Sequence, residues 1–351
     1  MCIIHFLNVK EGDCSLIEHN SGHKTVIDIC NGNDDKEKKL SEEEYQEQFF
    51  SKNKSSSIGI KGHFKQKEYP VNPIEYFKEF GIKEIFRFIL THPDMDHMDG
   101  IKNLFTNFKV HNFWDTNNKK TMNESDFVKS KYCKKDWDYY QYIRAKKDKG
   151  CTVLKLQSGA EGKYYNKWDD EGMYPNGDGI YILSPNKVLI DDSNDKENYN
   201  DSSYVLLYKD NNKRIIFSGD SEERAWDYIL ENFKKDIKDI DILIAPHHGR
   251  KSGGNDKFLD ILKPKLTLFG NAKSEHLNYD SWNNRKLEHI TNNQANCILL
   301  DINSNSIDVY VANKEFCKSV DKKLEQEDYI FYKSQNKNLY SQHGYYYLYS
   351  F

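Results

Sequence analysis

The sequence predicts an α/β fold in one elaborated domain. Short apolar segments that suit β-strands alternate with amphipathic segments that suit α-helices along the chain, which is the pattern of an α/β protein. Three of the strand-like segments also run directly into clusters of histidine and aspartate. The 351 residues exceed the usual size of one domain, but a sandwich with insertions reaches this length around a single core.

The first half of the chain opens with a hairpin and continues as strands separated by helices. The predicted strands cover residues 3–9, 15–18, 25–30, 85–90 and 110–114. Helices are predicted from Pro73 to near Gly81, from Gly100 to Phe105, and around 127–149. The charged stretch from about 35 to 66 has little apolar periodicity and is predicted to be a partly helical flap. Insertions are therefore placed at about 33–70 and 117–150.

The second half is richer in strands and ends in an aromatic tail. The predicted strands are 151–156, 180–183, 203–208, 214–217, 240–244, 266–269, 297–302 and 306–311. Helices are predicted at 225–233 and 256–262. The domain is thus expected to cover residues 1–312, and the aromatic extension 313–351 is expected to pack on the domain or on a partner.

Composition excludes several classes of protein. The formal net charge of -4 provides no global field that would attract nucleic acid or a membrane surface. The chain has no apolar run long enough to span a bilayer and no basic leader at its start, so we expect a cytoplasmic protein that does not contact a membrane. The 7 cysteines form no CxxC pair, which predicts reduced thiols.

One segment after a predicted strand is unusually dense in potential ligands. His92, Asp94, Asp96 and His97 lie within six positions, and Pro93 disfavours a helix there. Crowded carboxylates repel each other unless a cation neutralises them, so the segment favours a metal site. The alternative is a solvated acidic loop in which the histidines are incidental.

Two further strand ends carry the same kinds of residue. The strand 214–217 leads to Gly219 and Asp220, where the glycine permits a sharp turn. The strand 240–244 leads to His247 and His248. A Gly-Asp pair alone is a common turn, but three ligand-bearing strand ends in one chain favour a shared metal centre.

The order of the motifs resembles that of a known family. The motifs are FLNV and GD within 6–13, VID at 26–28, THPDMDHMDG at 91–100, NDSS at 200–203, FSGD at 217–220 and APHHG at 245–249. This order resembles the metallo-β-lactamase superfamily and, within it, the hydrolase domain of ComEC-type DNA-uptake proteins. Choline-phosphate esterases of bacterial cell walls carry a similar site. The resemblance covers roughly residues 2–268 and implies a four-layer αββα metallo-β-lactamase sandwich with insertions, with metals at one edge of its two sheets.

The resemblance also implies roles for individual residues. It assigns as metal ligands His92 and Asp94 for a first ion, Asp96, His97 and His247 for a second, and Asp220 as a bridge between them. Asp28 is expected to orient the ligand loop. Asp96 and His248 are expected to act in catalysis, His248 by meeting the scissile group or protonating the leaving group. The alternative for His248 is a structural imidazole bonded to the backbone.

The chain departs from the superfamily in its first metal position. Asp94 stands where the commoner first motif has a second histidine, and the segment 200–203 offers no histidine where a further ligand is usual. A larger share of oxygen ligands shifts preference from zinc towards a harder ion. We therefore expect two divalent ions, Zn²⁺ or Mn²⁺, with the first bound more weakly.

The implied activity is hydrolysis, most plausibly of a phosphodiester by a nuclease or nucleotide-cleaving enzyme. The Lys- and Tyr-rich segment 129–149 would suit single-stranded nucleic acid, although its aspartates favour a solvated amphipathic helix. A protein partner, for example in a defence-type system, is a further expectation. The alternatives are hydrolysis of a lactam, lactone or thioester on the same fold, and a non-enzymatic module that binds a partner.

Overall fold

Two β-sheets packed face to face carry the fold. A computed structural model describes residues 2–33, 64–128, 130–167, 177–251, 256–272, 276–321 and 340–351. The central part of the predicted flap, residues 34–63, lies outside these described residues.

The described residues form fifteen strands and ten α-helices. The strands are β1 (Cys2–Phe6), β2 (Ser15–Glu18), β3 (Lys24–Ile27), β4 (Glu84–Ile89), β5 (Lys109–Trp114), β6 (Thr152–Leu154), β7 (Ile180–Ser184), β8 (Val205–Asp210), β9 (Lys213–Phe217), β10 (Ile242–Ile244), β11 (Leu266–Phe269), β12 (His289–Thr291), β13 (Ile298–Ile302), β14 (Ile307–Val311) and β15 (Tyr346–Ser350). The helices are α1 (Pro73–Glu79), α2 (Ile101–Asn107), α3 (Glu124–Val128), α4 (Lys134–Arg144), α5 (Lys187–Lys196), α6 (Glu223–Asn232), α7 (Phe258–Leu262), α8 (Tyr279–Asn284), α9 (Asn292–Ala295) and α10 (Lys314–Asp321).

The strand order brings the carboxyl ends of several parallel strands to one edge of the molecule. The first sheet has the order β15-β14-β13-β1-β2-β3-β4-β5-β6, and the second has the order β12-β11-β10-β9-β8-β7. Strands β3 to β6 pair in parallel in the first sheet, and β9 to β12 do so in the second. Loops that leave these strands therefore meet where ligands commonly bind in α/β sheets.

Three apolar cores define the layers. The core between the sheets contains side chains from both of them, such as Phe6, Trp114 and Phe217. A second core packs α1, α2 and α4 on the outer face of the first sheet. A third core packs α6, α7 and α8 on the outer face of the second sheet. The four-layer αββα arrangement that the resemblance implied is therefore confirmed.

Some elements differ in extent from the sequence prediction. The helix predicted at 127–149 is divided between α3 and α4. Helix α4 buries Trp137, Tyr140 and Ile143 on the sheet, and it ends where this apolar stripe ends. The strand predicted at 25–30 ends at Ile27, because Asp28 adopts a left-handed conformation with φ of 56°. Helix α5 was not predicted, since its apolar face is narrow.

The aromatic end of the chain forms part of the sandwich. Strand β15 pairs antiparallel with β14, and Phe316 and Leu348 lie in the core between the sheets. The Tyr345 hydroxyl lies 2.7 Å from the Tyr76 hydroxyl of α1, which itself contacts the buried His5 ring. No helix in the described part of the chain has the length and apolarity needed to cross a bilayer.

A buried ion pair joins the two sheets away from the ligand loops. Arg87 on β4 is 1% exposed, and its Nη2 donates to Asp178 Oδ2 at 2.5 Å, just before β7. Burial raises the pKa of Asp178, but the Arg87 charge, together with His19 and the hydrogen bonds from Ser21 and His23, outweighs this effect and the net pKa is lowered. Each charge therefore needs the other in order to remain buried.

We expect Arg87→Met to lower the free energy of unfolding by about 3–5 kcal/mol, because it leaves a buried carboxylate without its partner. Urea unfolding followed by circular dichroism measures this loss. Lys78→Met is the matched control, since its ion pair with Glu75 is exposed and such pairs contribute only about 0–1 kcal/mol. Equal losses in the two variants would show that the buried pair has no special part in joining the sheets.

Candidate metal centre

The ligand segment follows β4 as a loop that turns back into the protein. His92 and His97 are both completely buried, and their ring centroids are 4.2 Å apart. His97 is the last residue of a short 3₁₀ turn, Met95–His97, that follows His92 along the chain. The loop closes at Gly100, where φ is 108° and a Cβ atom would come within 2.4 Å of the Gly32 backbone. Only glycine fits this close crossing of two chain segments.

Asp28 orients the ligand segment. Its carboxylate accepts hydrogen bonds from the Thr91 backbone N–H and hydroxyl, each at 2.7 Å, and from His97 Nδ1 at 2.7 Å. Because Nδ1 of His97 carries the proton in this bond, Nε2 presents its lone pair to the site. The left-handed turn at Asp28 thus places the carboxylate where the resemblance expected it.

Asp220 lies at the centre of the cluster. Its Oδ1 is 3.2 Å from His97 Nε2 and 3.6 Å from His248 Nε2. Its Oδ2 is 3.5 Å from His247 Nε2 and 3.9 Å from His92 Nε2. One carboxylate therefore faces four imidazoles, which is the geometry a bridging ligand needs.

The two adjacent histidines after β10 point to different parts of the cluster. His247 and His248 both have left-handed backbones, with φ of 52° and 56°. His248 is completely buried and its Nε2 lies 3.7 Å from Asp96 Oδ2, whereas the His247 side chain is 19% exposed. The structure therefore places His248 beside Asp96 and His97, and it places His247 on the side of His92. The resemblance had grouped His247 with Asp96 and His97 and had given His248 a catalytic role.

Asp94 lies at the solvent-facing side of the cluster. Its Oδ2 is 3.8 Å from His92 Nε2, and its side chain is 37% exposed. Its other oxygen, Oδ1, accepts a hydrogen bond from Lys120 Nζ at 2.5 Å. Asp94 is thus available to a ligand that enters from solvent.

Two residues of the cluster were not identified from the sequence. Asp13 Oδ1 lies 3.1 Å from His248 Nδ1, which is an ion-pair distance, whereas Asp28 accepts a hydrogen bond from His97 Nδ1. The sequence shows the Gly12-Asp13 turn after the first strand, but the spacing of residues does not reveal that Asp13 lies beside His248. Lys120 has no sequence signal, since it is one lysine in a segment rich in lysine.

The donor atoms of the cluster fit a metal ion. Buried atoms without a hydrogen-bond partner in the described structure include Nε2 of His92, His97 and His248 and Oδ1 of Asp220. Three overlapping groups have ligand atoms within 4.8 Å of one another: His92, His97 and Asp220; Asp96, His97 and His248; and Asp13, Asp220 and His248. Burying such atoms without partners is costly, and a cation removes that cost. Imidazole nitrogen with carboxylate oxygen is a donor set for zinc and neighbouring ions.

Opposite charges shift the pKa values of the cluster strongly. Burial lowers the pKa of His248, but the charges of Asp13 and Asp220 outweigh it and raise the pKa to about 10. The pKa of His97 is likewise raised, because Asp220 and Asp28 outweigh its burial. The charges of His248, His97 and His92 hold the pKa of Asp220 well below its usual value despite its burial. The cluster therefore carries carboxylate charge that must be balanced by protons or by cations.

Comparison with known proteins gives a partial sequence match. No family model matches the sequence. A stretch of 206 residues is 23% identical to ComE operon protein 3 of Bacillus subtilis (strain 168). This match covers 59% of the present chain but 22% of that protein.

The comparison with solved structures gives matches of low sequence identity with TM-scores below 0.5. Igni18, a metallo hydrolase from the hyperthermophilic archaeon Ignicoccus hospitalis KIN4/I, is 10% identical with a TM-score of 0.43, and the match covers 86% of this chain and 100% of that one. A diphosphatase from the PhnP family is 11% identical with a TM-score of 0.41, covering 86% and 98% of the two chains. These matches do not assign a reaction to the chain, so the chemistry of the site is inferred from its own donor atoms.

We expect Asp28→Asn to weaken metal binding about 10–100-fold. The amide can donate to His97 Nδ1, which would move the ring proton to Nε2 and block the nitrogen that faces Asp220. Equilibrium dialysis with zinc or manganese measures the loss, and circular dichroism checks the fold. Asp241→Asn is the control, because Asp241 is a buried aspartate that bonds to the Arg214 backbone outside the cluster. Unchanged affinity in Asp28→Asn would rule out this orienting role.

Proposed function

We propose that this chain is a metal-dependent hydrolase with two metal positions that acts on a phosphodiester. The observation that carries this proposal is the set of buried, unpartnered imidazole nitrogens converging on the Asp220 carboxylate. Such a set has few structural uses, because each unpartnered polar atom destabilises a buried site.

The geometry supports a specific division of the ligands. We assign the first position to His92, Asp94 and His247, the second position to Asp96, His97 and His248, and the bridge to Asp220. The division follows the two oxygens of Asp220: Oδ2 faces His92 and His247, and Oδ1 faces His97 and His248. In this proposal His248 is a ligand, and the catalytic role expected for it is not needed.

The chemistry combines what the ions supply with what the chain arranges. When bound, the two ions supply Lewis acidity that lowers the pKa of a water molecule and polarises an oxygen of the substrate. Asp28 holds the ring of His97 by a hydrogen bond to Nδ1, and Asp13 lies 3.1 Å from Nδ1 of His248; Nε2 of each ring faces Asp220. The exposed side of Asp94 leaves the first position open to substrate, as a catalytic metal site requires.

The donor set allows zinc and manganese. Four imidazoles favour zinc, and the three carboxylates Asp94, Asp96 and Asp220 also suit a harder ion such as manganese. Both ions are therefore included in the experiment below.

Cations around the mouth of the site favour an anionic substrate. Lys120 contacts Asp94, and Lys131 pairs with Glu11 in the turn that leads to Asp13. Arg250 follows the two histidines after one glycine, and its Nε has no hydrogen-bond partner among the described residues. Positive charge at the entrance raises the local concentration of anions such as phosphodiesters.

A surface on α4 is consistent with a nuclease. Tyr139 and Tyr142 have ring centroids 5.9 Å apart and line an open cavity of about 620 Å³ together with Lys147, Asp148 and Lys149. Aromatic rings and lysines together suit the bases and phosphates of a single strand. Trp137 and Tyr140 face the core, so only part of the predicted aromatic face is available. Nucleic acid is therefore the phosphodiester we propose first.

We expect the chain loaded with zinc or manganese to hydrolyse bis-p-nitrophenyl phosphate, and Asp220→Asn to lower kcat/KM by at least about 100-fold because it removes the shared ligand. Single- and double-stranded nucleic acids are assayed in parallel. Asp99→Asn is the matched control from the same motif, since Asp99 bonds to Asn31 and Asn33 outside the ligand groups.

Two results would contradict the proposal. Full activity of Asp220→Asn would show that the cluster is not the active site. Cleavage of nitrocefin or lactones without cleavage of any phosphodiester would assign the site to the small-molecule hydrolases instead.

A further inference from the structure

Lys120 brings a positive charge into contact with one of the proposed ligands. Its Nζ donates to Asp94 Oδ1 at 2.5 Å and lies 5.5 Å from the centroid of the Tyr199 ring. The Lys120 side chain is 22% exposed, so its contact with Asp94 is partly shielded from solvent. The other carboxylate oxygen of Asp94 is the one that faces His92.

The loop that carries Lys120 is braced by two helices. Arg144 at the end of α4 donates to the Asn118 carbonyl at 2.6 Å and to its side-chain oxygen at 3.2 Å. Asn194 on α5 accepts from the Lys119 backbone N–H at 2.6 Å and donates to the Asn117 carbonyl at 3.1 Å. The backbone at 117–119, immediately before Lys120, is thus fixed, and the fold itself directs the ammonium to Asp94.

The two proposed metal positions also differ in the charge of the groups that face Nδ1 of their histidines. In the second position, His97 and His248 each have a carboxylate at Nδ1, supplied by Asp28 and Asp13. In the first position, Nδ1 of His92 faces the neutral Thr91 hydroxyl at 3.2 Å. Among the described residues, His247 forms its ion pair with Asp220 through Nε2, and no carboxylate pairs with its Nδ1. Negative charge is therefore concentrated at the second position.

We propose that Lys120 makes the two metal positions unequal, so that the second binds a divalent ion tightly and the first binds one weakly. The inference rests on the metal centre of the proposed function. It goes beyond that function by naming Lys120 as a cause of the difference in affinity between the two positions. The ammonium neutralises Asp94, which is a carboxylate of the first position alone, and it repels an ion held there.

The same hydrogen bond also holds Asp94 with Oδ2 towards His92, so its loss acts to weaken metal binding at the first position. Repulsion between an ammonium and a divalent ion a few ångströms away exceeds the net contribution of one hydrogen bond, even in a partly solvated site. Removing the ammonium should therefore tighten binding at the first position. Whether the metal affinity of the first position rises or falls when the ammonium is removed distinguishes the two effects.

The experiment titrates metal-free full-length chain with zinc, and separately with manganese, by equilibrium dialysis with metal analysis. The wild-type chain is expected to bind one equivalent tightly and a second at least about tenfold more weakly. Lys120→Met is expected to tighten the weak equivalent by about tenfold or more and to leave the tight one unchanged. Lys120→Arg keeps the charge and should resemble the wild type.

Lys131→Met is the matched control, because Lys131 is a lysine near the same entrance whose ion pair is with Glu11 and not with a proposed ligand. Thermal unfolding of all variants without metal verifies that each one folds. Two equal equivalents in the wild type, or unchanged or weaker binding in Lys120→Met, would overturn the inference while leaving the metal centre intact. Failure of the wild type to bind any metal would instead refute the metal centre, and the inference with it.

Discussion

The meeting of Asp220 with the histidines is the contact on which the rest of the site depends. The second sheet supplies Asp220, His247 and His248 from the ends of β9 and β10, and the first sheet supplies His92 and His97 after β4. The core between the sheets fixes the distance between these strand ends. A packed interior transmits small displacements, so the sheet packing and the ligand geometry cannot vary independently.

The convergence of these segments could be predicted from the sequence because their signals are local. Four ligand-type residues beside Pro93 and two more strand ends with aspartate or histidine define a cluster once the parallel strands are recognised. The division between His247 and His248 could not be predicted, since it depends on two left-handed residues in succession. Lys120 could not be predicted either, because its position depends on contacts of its loop with α4 and α5, which are distant in sequence.

Two of the histidines have a carboxylate close to Nδ1. Asp28 from the end of β3 and Asp13 from the turn after β1 each lie against the Nδ1 of a different ring. Both carboxylates are largely buried and belong to the first sheet, although one of the rings comes from the second sheet. The orientation of the donor atoms is thus set before any ligand enters, which lowers the cost of binding.

The pairing of β1 with β13 places neighbours in the sheet that are almost the whole chain apart in sequence. A nascent polypeptide leaving the ribosome exposes β1 long before β13 has been synthesised, so the middle of the first sheet stays incomplete during translation. Pairing of such distant segments is slow, and unpaired apolar strands associate readily with other chains. Production of the protein should therefore benefit from slow synthesis at low temperature and from chaperones that cover the early strands.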